Sequence, residues 1–334
     1  MMNEIITTIG PASFDPRIIL QLKYAGATCF RINLSHSNPE LLKEYINLFK
    51  EIGITPSIDT QGAQIRVHGK PRKDYYKEGE KILIASKDSL MISNADIILN
   101  HSEIIDQTQI GDLLRMDSDG LVVEIRDINY KELCINATVV HEGNLKPNKA
   151  VDVIGRSLRL DALTDFDLYS ISTHVNDLDT IFVSFTNREQ DIDLVRSSIK
   201  SKRIPRIIAK IESKQGLINL KSILTKADGI LIDRGDLSRE ISVSKISNAT
   251  NYIMSRCKEY HVPCYVATHI LDSMLEDPFP SKDEITDLFN LYSKGVDGIV
   301  LAAEVAIGKY PVDCVHVVRN MYESSFQKDL NIRT

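Results

Sequence analysis

An α/β fold, a (β/α)8 TIM barrel carrying a small all-β domain inserted after its third strand, is predicted by three features of this 334-residue chain. Short apolar, β-branched runs recur eight times; helical-period segments separate most of them; and one long interval switches to alternating, turn-rich sequence. Eight strand–helix units close a barrel whose working residues sit at the C-terminal ends of the strands.

The runs are Glu4–Thr8, Thr28–Ile32, Pro56–Asp59, Thr180–Phe185, Pro205–Ile211, Asp228–Ile232, Pro263–Thr268 and Asp297–Leu301. Between them lie "PRIILQLKYAG", "PELLKEYINLFKEIG", "REQDIDLVRSSIKS", "QGLINLKSILTKA" and "ISNATNYIMSRCKEYH", and "VDCVHVVRNMYESSF" follows the last. Residues 67–152 break the rhythm with stretches such as "KILIASKDSLMISN". A structureless loop of that length does not fit a compact domain, so 67–152 is read as a separate β lid, with 1–66 and 153–334 forming the barrel. The final "KDLNIRT" reads as a frayed tail.

Composition narrows the function classes. With 43% hydrophobic and 26% charged residues the chain is of soluble globular type. Forty Lys plus Arg against forty-six Asp plus Glu, a net charge of −6, argue against a nucleic-acid partner. No run approaches the ~18 apolar residues of a membrane span, and "MMNEIITTIGP" lacks the basic and apolar regions of a signal peptide. The five scattered cysteines form neither a disulfide framework nor a zinc pattern, so a reducing cytoplasm is expected.

The polar residues closing each strand should converge at one mouth. Strand two supplies Arg31, Asn33, Ser35 and His36; strand three Asp59, Thr60 and Arg66; strand five "AKIES"; strand six "DRGD"; strand seven "ATH"; strand eight "AAE". Lys210 and Glu212 are two apart and point to the same side, where neither charge can be buried alone. The pair either satisfies itself, as part of a structural Lys–Glu–Arg network, or each member holds a metal or substrate anion. Asp236 is the natural second carboxylate, and two carboxylates with substrate oxygens and water suit Mg²⁺. Gly235 lets a backbone come close to a ligand, although "RGD" alone also reads as a solvated turn. His36 also reads as a surface-loop residue, Asn33 to Ser35 as a helix cap, and Ser184 or Thr186 as the cap of the helix that follows.

Taken in order, "TTIGPAS", "AGATCFRINLSHS", "DTQGAQIR", the β insertion, "NKAVDVIG", "LDALTDFD", "FVSFTNRE", "AKIESKQGL", "ADGILIDRGDLSREI", "ATHILDSM" and "LAAEVAIGKYP" resemble the landmarks of the pyruvate kinase family. The resemblance implies phosphoryl transfer between phosphoenolpyruvate, or a related enol phosphate of a 2-oxo acid, and the adenine nucleotide ADP, with Mg²⁺ (or Mn²⁺) and often K⁺. It implies that Arg31 contacts the phosphoryl group, that Lys210 stabilises the transferring charge, and that Glu212 and Asp236 ligate Mg²⁺. It also puts the Gly235 and Asp236 amides on the substrate carboxylate, with Thr268 beside the enolate and His269 in the pocket wall. Asn33, Ser35, Asp59 and Thr60 match the K⁺ site; Asn33, Ser35, His36, Arg66 and Lys149 match the nucleotide side.

The departures bear on substrate. The family typically writes "DTKGPE", "ARGDLG", "ATQML" and "MLSGET" where this chain has "DTQGAQ", "DRGDLS", "ATHIL" and "VLAAEV". Gln64 leaves the K⁺ requirement open; Ala302, Ala303 and Val305 remove hydroxyls; Asn187 stands where Arg is usual. Asp233 adds a charge that should repel a substrate carboxylate or draw a cation. The chain stops after the eighth helix, so neither effector control nor a subunit interface through the family's C-terminal domain is expected. Two other readings remain: a Mg²⁺-dependent aldolase or lyase working through a pyruvate enolate, and a non-catalytic binding or regulatory barrel.

Overall fold

The computed structural model describes residues 4–62, 64–116, 120–155 and 158–325, so the tail 328–334 lies outside them. Eight parallel strands close a barrel: β1 (Glu4–Ile9), β2 (Cys29–Asn33), β3 (Ser57–Asp59), β4 (Thr180–Val183), β5 (Arg206–Ile211), β6 (Gly229–Asp233), β7 (Cys264–Ala267) and β8 (Gly298–Leu301). β1 closes the ring by pairing with both β2 and β8. The predicted barrel is present.

Strand alternation decides what faces where. On β5, Ile207, Ala209 and Ile211 belong to the core shared with the surrounding helices, while Ile208 packs inside the barrel with Ile6, Phe182, Leu231, Tyr265 and Val300. The inward series Ile208, Lys210, Glu212 therefore climbs from apolar filling to charge at the C-terminal end.

The helices begin where the sequence supplies caps. Asp15 accepts the Arg17 amide before Pro16–Ala25, and Asn38 accepts the Leu41 amide before Pro39–Glu51, each followed by proline at the first helical position. Thr164 and Asp167 form a reciprocal capping box on Asp165–His174. Two expectations need correction. The segment "QGLINLKSILTKA" is two short helices, Lys214–Ile218 and Leu220–Leu224, split at Asn219. Neither Ser184 nor Thr186 opens the next helix, because Arg188 occupies that cap position before Glu189–Ser198.

The chain divides into two compact units, residues 1–62 with 162–334, and residues 63–161. In the second, six strands run in the order Val151–Val153, Leu113–Met116, Leu121–Asn129, Cys134–His141, Lys81–Ser86, Ile97–Leu99, and Tyr75–Tyr76 pairs separately with Gly143–Asn144. Its own apolar core includes Tyr76, Ile84, Leu99, Val123, Ile135 and Leu145. Arg66 bridges to Ala150 and Val67 to Leu99, and Val151–Val153 pairs with Leu113–Met116. Residues at both expected boundaries thus take their backbone partners from within the second unit. Among the described residues no helix is long and apolar enough to cross a membrane.

Candidate active site at the barrel mouth

Lys210 is 5% exposed and sits at the centre of the mouth. Its Nζ lies 3.1 Å from Asp59 Oδ1, 2.9 Å from Glu212 Oε1 and 3.9 Å from Asp233 Oδ2, and donates to Ser184 Oγ at 3.1 Å. Burial alone would pull the Lys210 ammonium down, but Asp59, Glu212 and Asp233 outweigh it and hold the ammonium well above its ordinary range. The lysine is a fixed positive charge.

Arg31, from β2, is the second buried cation. Its Nη1 lies 3.0 Å from Asp59 Oδ2, its Nε and Nη2 donate to Thr8 Oγ1 at 3.0 and 2.7 Å, and its guanidinium stands 5.6 Å over the Phe182 ring. Asp59 is therefore shared by both cations, and Ser184 Oγ completes its surroundings at 3.1 Å. Thr60 Oγ1 accepts the Ser184 amide at 2.9 Å. Ser184 thus joins Lys210, Asp59 and Thr60, where the sequence alone reads it as a helix cap.

Three carboxylates, Glu212, Asp233 and Asp236, bring ligand oxygens within 4.8 Å of one another. Burial pushes the Glu212 carboxyl up, and the neighbouring Asp233 and Asp236 add to that push against the pull of Lys210. Glu212 Oε2 accepts the Phe185 amide at 2.6 Å, while Oε1 faces Lys210 but accepts no well-angled hydrogen bond among the described residues. An all-oxygen donor set with surplus negative charge fits a hard divalent cation.

At the end of β6, Asp233 caps the short helix Arg234–Glu240. Asp233 Oδ1 accepts the Asp236 amide at 3.4 Å, and the Gly235 amide donates to Thr268 Oγ1 at 2.8 Å. An acidic cap three residues before another acid is a capping pattern visible in "DRGD", and it is the signal that could have placed Asp233. A side chain at Gly235 would reach within 3.3 Å of Thr268 Oγ1 and 3.5 Å of Asp233 Oδ1, so the glycine keeps this corner open.

Thr268 and His269 follow β7 with φ of 65° and 53°, two successive left-handed residues with side chains. Such backbone costs about 1–3 kcal/mol per residue and needs support. Arg234 provides it: Nε and Nη2 donate to the Thr268 carbonyl at 3.1 and 2.8 Å, Nη2 to the His269 carbonyl at 2.6 Å, and Nη1 to Asp287 at 2.6 Å. The His269 ring itself pairs with Asp272 at 2.7 Å and is 64% exposed. On β8's exit, buried Glu304 accepts the Ala302 and Leu271 amides at 2.8 and 3.3 Å, a local brace.

Of the other expected residues, Asn33 Oδ1 accepts the Ser35 amide at 2.9 Å as the cap of the turn Leu34–His36. Asn33, Ser35, His36, Asp59 and Thr60 belong to the barrel unit; Arg66 and Lys149 belong to the other. There Arg66 Nη1 donates to the Asn148 carbonyl at 2.9 Å, and the Lys149 carbonyl accepts the Val67 amide at 2.8 Å.

The description "Pyruvate kinase, barrel domain" matches residues 2–315. Pyruvate kinase from Bacillus licheniformis is 32% identical over 335 residues, 97% of this chain and 57% of that protein. Plastidial pyruvate kinase 3 from Arabidopsis thaliana is 29% identical, over 96% of this chain and 57% of its own length. The crystal structure of Cryptosporidium parvum pyruvate kinase superposes with a TM-score of 0.86 at 29% identity, covering 97% of this chain and 70% of that one. This chain thus spans under three fifths of the length of these two curated relatives. With residues 2–315 of the chain matching that barrel domain, the chain belongs to the pyruvate kinase family.

Proposed function

We propose that the barrel carries out divalent-cation-dependent phosphoryl transfer between a small enol phosphate, phosphoenolpyruvate or a relative of it, and ADP. The observation that carries this reading is the buried cluster at the mouth: two cations, Lys210 and Arg31, with three carboxylates converging beside them. Phosphoryl transfer asks a protein for positioning and charge neutralisation more than for covalent help.

In that reading Glu212 and Asp236 would hold Mg²⁺ or Mn²⁺, which when bound neutralises phosphoryl and enolate oxygens. Lys210, kept charged by its carboxylates, meets the charge that develops on the transferring phosphoryl oxygens. Arg31, fixed by Asp59 and Thr8, orients the same group. The bond between phosphorus and the enol oxygen breaks with its electron pair left on that oxygen, and a terminal ADP oxygen forms the new bond to phosphorus. The enolate carbon then takes a proton from water, giving a ketone and ATP. Thr268, beside the Gly235 amide, orients the enolate face.

On the nucleotide side we assign Asn33, Ser35 and His36 of the barrel unit, and we place the monovalent cation with Asn33, Ser35, Asp59 and Thr60. The test is a coupled assay with phosphoenolpyruvate, ADP and Mg²⁺, with and without K⁺, followed by a screen of 2-oxo acids and simpler ketones with ATP. Mg²⁺-dependent turnover that Lys210→Met abolishes supports the reading and removes the non-catalytic alternative. Cleavage of a pyruvate adduct without nucleotide would establish the aldolase instead.

A further inference from the structure

We infer that Asp233 is a specificity residue that excludes a substrate carboxylate, so that the preferred substrate is a small carbonyl compound, or its enol phosphate, without a carboxylate next to the reacting carbon. This rests on the phosphotransfer reading above and deepens it.

The argument starts from where the donors at the end of β6 are spent. Asp233 Oδ1 takes the Asp236 amide at 3.4 Å, and the Thr268 hydroxyl, which has accepted the Gly235 amide at 2.8 Å, turns its one proton between Asp233 Oδ1 at 3.1 Å and the Ala267 carbonyl at 2.6 Å. The backbone donors of this corner already serve an internal carboxylate and the hydroxyl beside it. A carboxylate from a ligand would have to displace Asp233, which is 7% exposed and has little room to swing into water.

Charge points the same way. At the mouth buried Lys210 faces the buried carboxylates Asp59, Glu212 and Asp233, buried Arg31 faces Asp59, and Asp236 adjoins, 3.9 Å from Arg239. Asp233 already places a negative charge in this corner, and a second carboxylate beside it meets like-charge repulsion. A neutral oxygen or hydroxyl in that position meets none, and a hydroxyl can donate to Asp233.

The test titrates pyruvate, oxalate and hydroxyacetone, the last a carboxylate-free counterpart of pyruvate, into the full chain with Mg²⁺ by calorimetry and ligand-observed NMR. The same titrations are run on Asp233→Ala and on Asp233→Asn, which keeps the capping oxygen should the alanine variant fail to fold. Both variants should bind pyruvate and oxalate on the order of tenfold or more tighter, with hydroxyacetone affinity within about threefold of the parent. An unchanged ratio of pyruvate to hydroxyacetone affinity in both variants, or no binding of any of the three ligands to parent or variants, overturns the inference. A parallel ³¹P NMR assay with ATP separates the two readings. If no phosphate is transferred by any protein, the phosphotransfer reading falls, and the affinity ratio still decides the role of Asp233.

Discussion

Lys210 and Glu212 stand two residues apart at the top of β5 with Nζ 2.9 Å from Oε1, and both are almost wholly buried. Neither charge is tolerable there alone, so each is part of the other's solvent. In the proposed phosphotransfer, Lys210→Met should lower kcat by on the order of 10²-fold or more, because the developing phosphoryl charge loses a buried, fixed cation. It should also destabilise the fold by about 3–5 kcal/mol by leaving Glu212 uncompensated, while Asp59 keeps Arg31. Adding Glu212→Gln to that variant should recover part of the stability and none of the activity. Urea unfolding alongside the coupled assay reads both effects, and a single variant as stable as the parent would show the pair to be dispensable for folding.

Ser184 is the smallest member of the cluster and joins Lys210, Asp59 and Thr60. Its Oγ accepts from Lys210 at 3.1 Å and shares its proton between Asp59 at 3.1 Å and the Thr60 carbonyl at 2.7 Å. Ser184→Ala should cost about 1 kcal/mol in stability and roughly tenfold in kcat, with KM little changed, since the lysine loses its orientation and keeps its charge. Ser184→Thr, which restores a hydroxyl, should recover part of the rate; a rise in KM at constant kcat would assign Ser184 to binding.

Ser184 and Asp233 also mark where the sequence stopped being legible. Eight apolar runs with helical segments between them announce the barrel, because period and order survive in one dimension. Lys210 and Glu212 were legible for the same reason: two residues apart on a strand means one face. Ser184 meets Asp59 and Lys210 from a different strand, and nothing in "FVSFTNRE" distinguishes a hydroxyl that caps the next helix from one that bridges strands. Sequence alone shows Asp233 as a charge next to Gly235 and Asp236, whereas its acceptance of the Asp236 amide and the Thr268 hydroxyl depends on side-chain direction.

Arg234 acts through backbone. Its guanidinium spans the Thr268 and His269 carbonyls and Asp287, holding two left-handed residues that cost energy on their own. Arg234→Lys keeps the charge but cannot make the fork. The expected result is a several-fold rise in KM for the small substrate with a smaller change in kcat, as Thr268 loses its position. An unchanged KM, with only the unfolding midpoint lowered, would make the fork purely structural.

The opposite end of the barrel should govern acid stability. Arg206 Nη1 and Nη2 donate to Glu4 Oε1 and Oε2 at 2.9 and 3.1 Å, and the Tyr265 hydroxyl donates to Oε1 at 2.8 Å. Burial alone would raise the Glu4 carboxyl, but these three donors and the Arg206 charge hold it below the usual carboxylate range. A carboxyl lowered in the folded state contributes stability that is complete above its unfolded pKa and is lost as pH falls through the folded value. Urea midpoints measured from about pH 6 to about pH 3 should therefore fall on acidification, and Arg206→Met should flatten that fall because Glu4 then titrates nearer its ordinary value. Other carboxylates add to the acid limb, so the informative quantity is the difference between parent and variant. A difference independent of pH would mean that Arg206 stabilises by packing alone and that the strands are pinned at this end by something other than the Glu4 ion pair.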